Sequence, residues 1–92
     1  MPDVNEPLNN AIKSCSSELI NYELSKLINL SNIVTNLSYK NEIQYFFKEL
    51  DFDNENQLNT FRSVYDNFDN KTTGFPDEIH ESIERGKRKF NN

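Results

Sequence analysis

The residues of this chain whose types could support chemistry are one histidine, one cysteine and a short string of alternating acids. His80 opens His-Glu-Ser-Ile-Glu, in which Glu84 stands where the zinc-protease motif His-Glu-x-x-His needs its second histidine. With Glu84 one helical turn away as its only companion, His80 reads as an ordinary solvent-facing residue rather than a metal ligand. Asp51-x-Asp53-x-Glu55 has the alternate oxygen ligands that open a calcium loop, but position six is Asn56 instead of glycine. Position twelve is Arg62 instead of a bidentate glutamate, so a cation would lose its best ligand and meet a positive charge. Cys15 falls on an apolar stripe with Leu8, Ile12 and Leu19, which predicts a buried, inert thiol. Two glycines cannot supply a phosphate-cradling loop, and no base stands beside a nucleophile in the sequence. The expectation is a protein without catalysis, bound metal or cofactor.

The elements that would position these residues are helical. Proline occurs only at positions 2, 7 and 76, so residues 8–75 contain no proline interruption. A first helical region runs from about Pro7 to Leu30, in which Ile20, Leu24, Leu27 and Ile28 continue a shifted stripe, and the polar run Lys13–Ser17 leaves open whether it is one helix or two. Tyr39, Ile43, Phe46, Phe47 and Leu50 repeat at helical spacing behind Ser38, a plausible N-cap. Leu58, Phe61, Val64, Tyr65 and Phe68 predict a third helix over about Asn56–Phe68. A loop over 69–75 carries Gly74. A last helix follows Pro76, with Asp77 and Glu78 at its positive end and Arg85, Lys87, Arg88 and Lys89 at its negative end.

These readings predict an all-α fold, a small antiparallel bundle of four or five helices in one domain over 1–92. A flexible stretch is expected at 1–6 and a basic helix end at 85–92. The expected core is Leu19, Leu27, Ile43, Phe46, Phe47, Leu50, Leu58, Phe61, Val64, Phe68, Ile79 and Ile83.

Charge narrows the class of partner. Residues 1–84 hold 15 acids and six bases, a balance of −9, whereas residues 85–92 hold four bases and no acid. Such a body repels phosphate, so nucleic acid is disfavoured except through Arg85, Lys87, Arg88 and Lys89. No apolar run approaches the ~20 residues that span a bilayer, and a lone cysteine without a secretory leader suggests the cytoplasm. Glu49, Asp51, Asp53 and Glu55, with Asp66 and Asp69 across the third helix, form the candidate partner-binding face. Phe52 and Tyr65 are its expected aromatic anchors. The expected partner is another protein, basic in character.

Small size, an acidic helical body and missing chemistry are also the profile of proteins that neutralise other proteins. Immunity proteins against nuclease toxins, antitoxins and phage-encoded inhibitors are of this type, an analogy of profile rather than of motif. The competing readings are a solvated surface without a role, a helical regulatory or scaffold subunit that pairs with itself, and a nucleic-acid-associated regulator using the basic end.

Overall fold

The structure is a computed structural model and describes residues 4–33, 35–69 and 76–90. The expected loop with Gly74 lies outside the described residues, as do residues 1–3 of the expected flexible stretch and the side chain of Asp69. Five helices form the described fold: α1 (Glu6–Ser14), α2 (Ser17–Ile33), α3 (Leu37–Glu49), α4 (Glu55–Asp69) and α5 (Asp77–Phe90). No strand occurs among the described residues. The chain is an all-α bundle built on one continuous core to which all five helices contribute.

The polar run after Lys13 resolves into a break. α1 carries Pro7 in its first turn, where the missing N–H costs little, and ends at Cys15, whose backbone is left-handed (φ 59°). The Cys15 N–H donates to Ile12 O and the Ser16 N–H to Ala11 O, which satisfies carbonyls that the ended helix leaves open. This turn resets the rotational phase of the chain. The stripe Leu8, Ile12, Cys15, Leu19 therefore does not continue: Leu8, Ala11 and Ile12 are buried on α1, but α2 buries Ile20, Leu24, Leu27 and Ile28 and turns Leu19 outward.

α3 begins one residue before the expected cap, with the Asn36 side chain accepting from the Ser38 N–H at 2.8 Å. The acid string after α3 is a capping turn. Asn54 Oδ1 accepts the Gln57 N–H and Gln57 Oε1 accepts the Asp53 N–H, both at 2.9 Å, a reciprocal arrangement of the capping-box kind. Gln57 is buried, and its Nε2 donates to Lys13 O, which ties the end of α1 to the start of α4.

α3 packs against α5 and α2, and α4 packs against α1, α2 and α5; α3 and α4 are not direct neighbours. α4 and α5 run antiparallel, with Leu58 beside Gly86 at one end and Tyr65 beside His80 at the other. A Cβ on Gly86 would lie 2.7 Å from Leu58 Cδ1 and 3.1 Å from Phe52 Cδ2, so glycine sets how closely α5 approaches. The core holds Leu27, Ile43, Phe47, Leu50, Leu58, Phe61, Val64, Ile79 and Ile83 as expected, while Phe46 and Phe68 are only partly buried against it.

Candidate functional site

The basic end of α5 is used within the fold. α3 stops at Glu49, leaving carbonyls that need donors. Arg85 of α5 supplies them: its Nη2 donates to Leu50 O at 2.6 Å and to Phe47 O at 3.4 Å. One turn on, Lys89 donates to Phe52 O at 2.9 Å and to the Asp51 carboxylate at 3.1 Å. The hydrogen bond from Lys89 holds the Asp51 carboxyl below the usual carboxylate range, against the opposing effect of burial. Lys87 pairs with Glu84 on its own helix, and Arg88 is exposed. These cations were expected to complement the end of their own helix; two of them also close the end of α3.

The acid cluster is correspondingly divided. Asp51 is paired with Lys89, and Asp53 with Lys13 at 3.1 Å. Glu55 is exposed in the first turn of α4, and Asp66 is exposed further along that helix. The two aromatic anchors are corrected by their burial. Phe52 is fully buried, edge-tilted against Phe61 at 5.5 Å between centroids. Tyr65 is buried to the hydroxyl, which shares a 2.6 Å hydrogen bond with His80 Nε2. Neither ring offers a surface to a partner.

A different surface brings acids and an aromatic together. α1 and α3 do not pack on each other, and an Asn5 Nδ2 bond to Glu42 O at 3.5 Å bridges them at one end. The gap is a groove of about 500 Å³ whose walls include Lys13, Glu42, Tyr45, Phe46, Glu49 and Asp51. Glu42, Tyr45 and Glu49 stand at i, i+3 and i+7 of α3, one face of the helix. Tyr45 is 64 % exposed, whereas Phe46 is half-buried with its edge against Phe47. Among the described residues, the Glu42 and Glu49 carboxylates form no ion pair or hydrogen bond. Of the sequence-stated acids the groove gathers Glu49 and Asp51, while Glu42, Tyr45 and Phe46 are additions. The signal that finds them is the spacing Glu-x-x-Tyr-Phe-x-x-Glu.

No known family, curated protein or solved structure matches this chain. The site must therefore be read from its own chemistry. Cys15 is half-buried rather than buried, with Sγ 3.2 Å from Thr60 Oγ1. Thr60 already donates to Asn56 O, so the thiol is the donor in that contact. His80 is exposed and engaged by the Tyr65 phenol. Among the described residues no three His, Cys, Asp or Glu side chains are grouped to hold a metal ion, and no helix is long and apolar enough to cross a membrane. What the groove can offer is recognition: two carboxylates that pair with nothing among the described residues, on either side of an exposed phenol ring, the arrangement that suits a guanidinium or ammonium.

Proposed function

We propose that this chain is a small acidic binding protein that acts without chemistry of its own, docking a basic protein partner on the α1–α3 groove and so neutralising or regulating it. An immunity protein, antitoxin or phage-encoded inhibitor of a nuclease-type toxin, working in the cytoplasm, is the kind of role this describes. The observation that carries the reading is the division of the acids. Asp51 and Asp53 are neutralised by Lys89 and Lys13, whereas Glu42 and Glu49, which flank Tyr45, pair with no cation among the described residues.

An arginine from the partner would lay its guanidinium on the Tyr45 ring and pair with a carboxylate on either side, contacts a lysine makes less well because its charge is not planar. The excess of 15 acids over 10 bases in the whole chain would steer a cationic partner toward the surface before contact. Blocking a basic nucleic-acid cleft requires only such occupancy.

The test is a titration of the isotope-labelled protein with an arginine-rich peptide, followed by NMR. Amide shifts should centre on residues 5–13 and 42–51. The Glu42→Gln/Glu49→Gln double variant should bind about tenfold more weakly, a loss of about 1.4 kcal/mol, and Tyr45→Ala should weaken binding further. Shifts spread evenly over the acidic surface, with affinity unchanged in these variants, would reject the groove as the site.

A further inference from the structure

The two walls of the α1–α3 groove differ in chemistry. The α3 wall is anionic and aromatic, carrying Glu42, Tyr45 and Glu49. The α1 wall consists of Asn5, Asn9 and Lys13, at i, i+4 and i+8 on one face of that stretch. Two of these three are engaged within the fold. Lys13 pairs with Asp53 at 3.1 Å, and the buried Asn5 side chain reaches Glu42 O at 3.5 Å. Between them, the half-buried Asn9 donates its backbone N–H to Asn5 O, but its carboxamide forms no hydrogen bond among the described residues. A carboxamide carries a donor and an acceptor side by side, so it can take a peptide C=O and a peptide N–H at once. A cationic side chain, by contrast, finds nothing to pair with on this wall, where the one charge is that of Lys13.

We infer that the groove reads its basic partner as an extended chain, with the Asn9 carboxamide holding the partner's peptide backbone while the partner's arginine lies against the α3 wall. This rests on the groove being the docking site. Size favours the extended form. A helix with its side chains is about 10–12 Å across and rises about 5.4 Å per turn, so a groove of about 500 Å³ takes roughly one turn of it. Helix docking relies on anchors spread over two turns. The interval from Glu42 to Glu49 is about 10.5 Å at 1.5 Å per residue, which three residues of extended chain span at about 3.3 Å each. Hydrogen bonding favours it as well, because a helix bonds its backbone groups to one another and an extended segment leaves them open. The partner's arginine therefore belongs to a loop or an unstructured tail rather than to a helix face.

Two probes separate this inference from the reading it rests on: a blocked pentapeptide with one central arginine among alanines, and butylguanidinium, which is the same cation without a backbone. Titrated into the full chain and followed by NMR, both should shift the groove amides, and both should weaken in the Glu42→Gln/Glu49→Gln double variant. Only the pentapeptide should weaken in Asn9→Ala, by about fivefold, the loss of one or two neutral hydrogen bonds. Alanine is the better helix former, so this variant keeps α1. N-methylation of an amide flanking the arginine should weaken the peptide in the parent and add little in Asn9→Ala. Equal effects of Asn9→Ala on both probes, or none on either, overturn the backbone contact while leaving the groove as the site. Tighter binding of the pentapeptide when a side-chain lactam holds it helical overturns the extended form. Failure of both probes to shift the groove removes the docking reading and this inference with it.

Discussion

At the scale of single residues, the most consequential side chain is Arg85. The two carbonyls it reaches belong to a helix end and the turn after it, where unsatisfied acceptors cost as much as lost hydrogen bonds. Arg85→Met should lower stability by about 1.5–3 kcal/mol in urea unfolding, the range for hydrogen bonds to a charged donor, with Arg85→Lys recovering part of the loss. Asp51 makes a smaller, pH-dependent contribution. Its carboxyl is held below the ordinary value of about 3.9 by the bond from Lys89, so the folded state binds that proton less tightly than the unfolded chain. Stability from this pair is present above the unfolded value and is lost as pH falls through the folded one. Urea midpoints measured at about pH 5 and pH 3 should differ less in Asp51→Asn than in the parent. The difference should be modest, because the pair is exposed to solvent. Phe52 and Tyr65 mark where residue-level reading falls short. Phe52 sits in a non-helical turn, where periodicity carries no information about burial. Tyr65 stood on the predicted inner stripe and was also expected as an anchor beside the acids; the stripe prevails, and the phenol buries its ring and reaches His80 with its tip.

At the scale of elements, the helices were legible because each buries a face at a spacing the sequence displays. Pro7, the acid start of α5 and its basic end marked boundaries to within a residue or two. What the spacing left open was phase across a break, since it offered both Leu19 and the shifted stripe Ile20, Leu24, Leu27 and Ile28. A left-handed residue at Cys15 rotates α2 relative to α1, and the residue expected inside, Leu19, yields to its neighbour Ile20. Nor could the spacing show that α3 would take α5 rather than α4 as its neighbour, or that glycine at position 86 would bring α5 close to Leu58 of α4 and to Phe52. Gly86→Val should cost about 1–3 kcal/mol through overpacking against Leu58 and Phe52, although glycine within a helix is itself a poor helix former. Retention of helix by circular dichroism with a lowered melting temperature would be the expected signature, and an unchanged melting temperature would show that Leu58 moves aside freely.

At the scale of the whole molecule, one core joins all five helices, so a defect at its centre should be felt everywhere. Phe61 is fully buried and packs against Phe52 from the capping turn. Phe61→Ala should cost about 3–5 kcal/mol, a large share of the stability of a small domain, and should shift fluorescence and circular-dichroism transitions together. The candidate site was only partly legible at this scale. The acid cluster stood out by local density along the chain, yet density in sequence also collects the acids that nearby bases neutralise. Glu42, Tyr45 and Glu49 are spread over two helical turns, and their shared spacing becomes a site only where α3 lies beside a helix it does not pack on.

The clasp between α5 and the end of α3 also orders events in time. A ribosome makes α3 and its following turn long before it adds Arg85 and Lys89, the groups that close them. A nascent chain that has passed residue 84 therefore has every helix begun and the α3 corner still open, and the final cooperative closure waits on the last few codons of the described fold. A chain truncated after Glu84 should retain helical content while giving a broad, poorly cooperative urea transition, and a sharp transition with the parent's midpoint would show that the corner closes without its clasp.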